Sequence, residues 1–147
     1  MFVTNEKELR KACKPCDDRE GLIVGERLLE ILAKTNDGVG LAANQVGIDR
    51  RVCVVNVAKP IILINPKIIG KFGKSYFQEG CLSFPGQVVI TERWTDIIVS
   101  CSGNKQYMFS FEKNPLECVC VQHEIDHLNG VTMFDRAIKD LEVKGGK

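Results

Sequence analysis

The chain has 147 residues, enough for one domain that buries roughly 68–70% of its unfolded surface. Its composition, 44% hydrophobic and 27% charged, is that of a globular protein, and 20 basic against 19 acidic side chains leave a net charge of +1, which gives no electrostatic basis for binding nucleic acid or a membrane surface. The opening Met1-Phe-Val-Thr-Asn-Glu has neither the layout of a secretory signal nor the Arg/Ser richness of a transit peptide. No apolar run nears the about 18 residues of a membrane span, so a cytoplasmic protein is expected.

In chain order, the first strong pattern runs over residues 21–37. Leu22, Leu28, Leu29 and Leu32 recur near helical spacing with charges between them, which predicts an amphipathic helix. Asp37-Gly38-Val39-Gly40 breaks it. Short β-branched runs follow at 51–57, 61–65, 67–70, 87–91 and 95–101, punctuated by Gly, Pro and Asn as in antiparallel strands. A second helix opens at Asn114-Pro115: Asn is a good N-cap, Pro suits the first helical position, and Glu117 stands where a capping box wants it. Leu128-Asn129-Gly130 signals its end.

Both histidines of the chain lie on this second helix, in His123-Glu124-Ile125-Asp126-His127. At 100° per residue, Leu116, Val119, Cys120, His123 and His127 share one stripe facing the core, with Glu124 on its flank. Residues four apart stand about 5–6 Å apart at Cβ, so two imidazoles can meet on one ion, each about 2.0–2.1 Å away if it is zinc. A lone His on such a stripe is usually a packed core residue. Two with Glu between them point instead to a metal site, where the carboxylate can take a proton from water polarised by the ion.

A third ligand is then required. Downstream, the zinc-peptidase layouts would have a histidine where Met133 stands, and Glu142 lies too near the end of the chain. Upstream, the seven cysteines (13, 16, 53, 81, 101, 118, 120), with no export signal, suit a reducing compartment in which thiols serve as core residues, ligands or nucleophiles. Glu79-Gly80-Cys81-Leu82-Ser83-Phe84-Pro85 is the best source. A thiolate at Cys81 would leave a fourth position open, as in catalytic sites. Position alone does not separate Cys81 from Cys53 or Cys101, which sit in apolar strands. Gly38-Val39-Gly40-Leu41-Ala42-Ala43-Asn44-Gln45 reads either as a helix end with a small-residue turn or as a backbone lining beside the metal. In the second reading the Gln45 amide donates to an oxygen that becomes negative.

Together, Gly38-Val39-Gly40-Leu41-Ala42-Ala43-Asn44-Gln45, Glu79-Gly80-Cys81-Leu82-Ser83 and His123-Glu124-Ile125-Asp126-His127 resemble, in order, the three signature segments of the peptide deformylases. The likeness extends from the segment ending at Cys16 to Gly130-Val131-Thr132-Met133-Phe134-Asp135, nearly the whole chain. It settles the ligand question in favour of Cys81, with His123 and His127.

The resemblance implies removal of the formyl group from the formyl-methionine of nascent chains. It also implies one divalent ion, usually Fe2+ with Zn2+, Ni2+ or Co2+ as substitutes. Glu124 would be the proton carrier, and the Gln45 amide and Leu82 N–H the donors to the carbonyl oxygen. Val39, Phe77, Leu116, Val119 and Cys120 would form the methionine pocket, and Gly40 and Gly80 would present backbone to the peptide. Glu79 and Arg93 resemble a family ion pair bracing the cysteine loop, with Asp126 behind the ligands. Val88 departs from the family, where many bacterial members carry arginine and others tyrosine, so the resemblance says nothing of contacts beyond the first peptide residue. Cys13 and Cys16, spaced like a redox pair but outside any thioredoxin-like pattern, read as packing residues.

The expected fold is α+β: short antiparallel strands packed around a central metal-binding helix, with an N-terminal amphipathic helix. A single catalytic domain over 1–147, without a long C-terminal extension, is expected to act as a monomer. The rival readings are a zinc peptidase cutting internal bonds and a non-enzymatic two-His, one-Cys site of structural zinc or blue-copper type.

Overall fold

The computed structural model describes residues 2–138; Glu142 and the far end of the expected domain lie outside them. A short helix α1 (Glu6–Leu9) precedes α2 (Asp18–Ala33), β1 (Gly40–Ala42), β2 (Val52–Asn56), β3 (Pro60–Ile64), β4 (Lys67–Glu79), β5 (Val89–Cys101), β6 (Lys105–Ser110) and α3 (Pro115–Leu128). The strands form two antiparallel three-stranded sheets, β1-β2-β3 and β4-β5-β6. The α+β architecture around a central helix is the expected one.

Helix α2 begins earlier than its apolar pattern because the Asp17 side chain accepts the Glu20 N–H at 2.8 Å and caps it there. It ends at Ala33 rather than at the Asp37 break, and Thr35 Oγ1 donates to the Leu32 carbonyl just beyond. Leu28 and Leu32 are buried as expected, whereas Leu22 is half exposed. Beneath the helix, β2 is buried on both faces. Val52 and Val54 pack with α2, while Cys53 and Val55 pack with α3. A strand covered on both sides reads as an unbroken apolar run, and Val52-Cys53-Val54-Val55 does.

The second sheet departs most from expectation. The run at 67–70 continues to Glu79, the runs at 87–91 and 95–101 are one strand, and Lys105–Ser110 is a strand the periodicity did not mark. Glu92-Arg93-Trp94 looks like an interruption because it carries two charges. The Arg93 guanidinium is spent on buried carboxylates, so it does not break the ladder, and Ser75↔Arg93 and Phe77↔Thr91 pair across it.

Helix α3 starts at Pro115 as predicted. Asn114 Oδ1 accepts the Glu117 N–H at 3.1 Å, and the helix stops where Gly130, at φ 77°, takes the left-handed turn. Its surroundings differ from the single stripe expected. Every residue from Cys118 to Leu128 is buried, because α3 contacts β1 and β2 of one sheet and β5 and β6 of the other. The main core joins Cys120, Val121, Ile125 and Leu128 to Cys53, Val55, Ile97 and Val99. Full burial of each such aliphatic side chain is worth about 1.5–3 kcal/mol, so the histidine helix is firmly anchored.

Candidate metal centre and active site

Cys81, two residues beyond β4, lies beside His123 and His127 of α3. The three ligand atoms are all within 4.8 Å of one another, and Cys81 Sγ is 3.3 Å from His127 Nε2. His123 Nδ1 faces Glu79 Oε1 at 2.8 Å, which assigns the ring proton to Nδ1 and leaves Nε2 as the donor nitrogen. A thiolate and two imidazoles form a soft-to-borderline set that suits a divalent transition ion. The charges agree. Burial opposes protonation of His123, yet Glu124, Cys81 and Glu79 lift its pKa well above the ordinary value, while burial and His123 push His127 well below. Carboxylates and a thiol thus crowd His123, and a cation shared by the three donors would sit among them.

Cys13, Cys53, Cys101 and Cys118 pack in the main core. All seven thiols are free, and Cys53 is fully buried in the core. Burial pushes Cys13 and Cys101 up to about 11 and Cys53 well above its ordinary value. Their thiolates are therefore scarce near neutrality, which disfavours both nucleophile and ligand roles.

Behind the ligands runs a buried ion network. Arg93 donates Nε to Glu79 Oε2 at 2.6 Å and Nη2 to Glu79 Oε1 at 2.8 Å, while Nη1 reaches Asp126 Oδ2 at 2.6 Å. Arg136 adds two bonds to Asp126 at 3.0 Å, and the Thr91 hydroxyl donates to Glu79. Burial would raise the Glu79 carboxyl, but Arg93 and His123 outweigh it and hold it at about 2. The resemblance paired Glu79 with Arg93, and the bond to His123 was not foreseen. A carboxylate on the second nitrogen of a ligating histidine is a general habit of metal sites, and that rule was the available signal.

One cavity of about 520 Å³ opens onto this centre. Val39, Phe77, Leu116, Val119 and Cys120 line it, as do Gly40, Gly80, Leu82, Gln45 and Glu124. His127 lies behind, fully buried. Leu116, at 39% exposure, sits at the lip rather than on a buried stripe, and Val88 is on the same rim. Burial raises the Glu124 carboxyl to about 7, against the downward pull of His123, and Oε1 has no hydrogen-bond partner among the described residues. A carboxyl tuned near neutrality, with one oxygen unpartnered, on a residue that lines the cavity is equipped to take and return a proton. The Leu82 N–H donates to no protein acceptor among the described residues. The Gln45 amide faces Cys81 Sγ at 3.5 Å and Ser83 Oγ at 3.2 Å. Asn44, unremarked in the sequence, donates Nδ2 to the His127 carbonyl at 2.7 Å and ties the turn bearing Gln45 to α3.

Gly40 is required for space. A Cβ there would stand 2.5 Å from Cys120 Sγ and 2.7 Å from Glu124 Oε2. Gly40→Ala is therefore expected to displace the Glu124 carboxylate and lower kcat about 10²-fold, with metal content unchanged; parallel kinetics and metal analysis check this.

The polypeptide deformylase family model matches residues 1–143. The peptide deformylase of Hydrogenovibrio crunogenus is 39% identical over 137 residues, 88% of this chain and 80% of that protein. That of Thermoanaerobacter pseudethanolicus is 40% identical over 141 residues, covering 93% and 87%. The crystal structure of the Thermotoga maritima peptide deformylase superposes with a TM-score of 0.80 at 35% identity, covering 94% of this chain and 96% of that one.

Proposed function

The chain belongs to the polypeptide deformylase family, a metallohydrolase that removes the N-formyl group from nascent polypeptides, and from that premise we propose how its residues divide the work. Cys81, His123 and His127 hold one divalent ion, ferrous iron in the cell, with Zn2+, Ni2+ or Co2+ able to replace it. When bound, the ion acts as a Lewis acid that brings the pKa of a water toward about 7. Glu124 accepts the proton of the attacking water and delivers it to the departing amine, so one carboxyl serves both halves of the reaction. The Leu82 N–H and the Gln45 amide donate to the carbonyl oxygen as it gains charge. Val39, Phe77, Leu116, Val119 and Cys120 receive the methionine side chain, while Gly40 and Gly80 let the peptide backbone approach.

The observation that carries this reading is the convergence of the three ligand atoms within 4.8 Å at a cavity that Glu124 also lines. The substrate is the N-terminus of a formyl-methionyl peptide, and a single catalytic domain acts on it as a monomer. No helix among the described residues is long and apolar enough to cross a membrane. Seven free thiols support a reducing, cytoplasmic setting.

The test is formate release from formyl-Met-Ala-Ser by anaerobically purified protein, with metal analysis of the same sample. Cleavage of internal bonds in a blocked peptide would instead assign a peptidase. Cys81→Ser is expected to lower metal retention on dialysis; unchanged stoichiometry would remove Cys81 from the ligand set.

A further inference from the structure

Gln45 is held at both ends of its amide. Its Oε1 accepts the Ala42 N–H at 2.9 Å, and its Nε2 lies 3.2 Å from Ser83 Oγ and 3.5 Å from Cys81 Sγ. Both side chains are shut from solvent, Gln45 at 1% and Ser83 at 0% exposure. A backbone N–H can only donate, so Ala42 fixes the carbonyl end of the amide and turns the NH2 end toward the cysteine loop. That NH2 carries two hydrogens. One meets the Ser83 hydroxyl oxygen; the other lies toward the Cys81 sulfur, on the metal-binding loop.

Ser83 is itself held in a hydrogen-bonded turn. It lies in the turn closed by the Phe84 N–H donating to the Cys81 carbonyl at 3.0 Å, the same turn that carries Leu82. The hydroxyl therefore ties the Gln45 amide to the segment bearing the second donor, the Leu82 N–H. A donor's effect on a developing charge depends on its direction being set before the reaction. Losing the Ser83 acceptor would leave the NH2 group free to rotate away.

We propose that Ser83 is a positioning residue for deformylation: its Oγ engages one amide hydrogen of Gln45 and so aims the other at the substrate carbonyl oxygen. The proposal rests on the role assigned to Gln45 above. The bland alternative is that the hydroxyl merely satisfies a buried amide and contributes to folding alone.

A double-mutant cycle separates the two. The wild type, Ser83→Ala, Gln45→Met and the double variant are loaded with Co2+ and compared for kcat and KM on formyl-Met-Ala-Ser. Gln45→Met should lower kcat by about 10²–10³ and Ser83→Ala by about tenfold, a fraction of the loss of the whole donor. KM and cobalt stoichiometry should hold within about twofold, the range expected when only transition-state binding is lost. In the Gln45→Met background, Ser83→Ala should cost nothing more.

A second readout is independent of turnover. In nitrogen-15 spectra the Gln45 side-chain amide should lose protection from solvent exchange on Ser83→Ala. If Ser83→Ala does not accumulate folded, Ser83→Cys, similar in size and a weaker acceptor, is read the same way. An equal fall in both backgrounds, or an unchanged kcat in the Ser83→Ala single variant, overturns the positioning role while leaving Gln45 in place. An unchanged kcat in Gln45→Met overturns the role of Gln45 and this inference with it.

Discussion

Glu124→Ala is expected to cut formate release from a formyl-methionyl peptide by about 10²–10⁴-fold, the usual worth of a positioned acid–base group, while keeping the metal. The expectation rests on where the carboxyl stands. It lines the cavity on the same helix as both histidines, one oxygen has no partner among the described residues, and burial brings its pKa to about 7. None of its oxygens belongs to the ligand set, so removing it leaves Cys81, His123 and His127 untouched. Glu124→Gln keeps the size and hydrogen-bonding shape but cannot carry a proton, and it should lose as much. Metal content by elemental analysis and kcat on the same samples decide the matter. Retained turnover in either variant would remove Glu124 from its role, and loss of metal would make it a supporting group for the ligands.

Arg93→Met should cost about 3–5 kcal/mol of stability, because it takes from buried Glu79 its only guanidinium and leaves Asp126 with the half-exposed Arg136 alone. Glu79, Arg93 and Asp126 are all at most 9% exposed in their side chains, so solvent screens little of the interaction. For a domain of this size the loss corresponds to a fall in Tm of about 10 °C or more. A change below about 1 kcal/mol would put the network in the class of surface pairs.

The pH dependence follows with its sign. Glu79 titrates at about 2 in the folded protein, below its ordinary value of 4.5. It therefore contributes stability that is complete above about pH 4.5 and disappears as pH falls toward 2. Without Arg93 the largest downward pull on Glu79 is gone and burial drives its pKa up, so that share of the acid limb should vanish. Thermal unfolding of the metal-free protein between pH 2 and 7, where the ligands would release an ion in any case, measures both effects. Because Glu79 also holds His123 Nδ1, looser metal binding should accompany the lost stability.

The site is a meeting of three segments far apart in the chain: the turn bearing Gln45, the loop after β4 with Cys81 and Ser83, and α3. Each pair is joined by at least one polar contact: Asn44 to the His127 carbonyl, Gln45 to Ser83, and Cys81 to His127. Helix α3 is the reference on which the others are hung, since it is buried from Cys118 to Leu128.

What the amino-acid order determined unaided is local. The start of α3 at Pro115, its end before Gly130, and the placing of two imidazoles and a carboxyl one turn apart follow from cap chemistry and the 3.6-residue period, which act over a few neighbours. The three signature segments added the family and, through it, the choice of Cys81. Tertiary structure decided what depends on contact across long separations. Residue chemistry left Cys53, Cys81 and Cys101 equal. Packing placed Cys53 and Cys101 in the core and brought Cys81 Sγ within 3.3 Å of a histidine 46 residues away. The burial of α3 from Cys118 to Leu128, the double duty of Glu79 and the continuity of β5 through Arg93 were likewise hidden. A charged residue read one at a time looks solvated, and only a partner brought in by the fold makes its burial affordable.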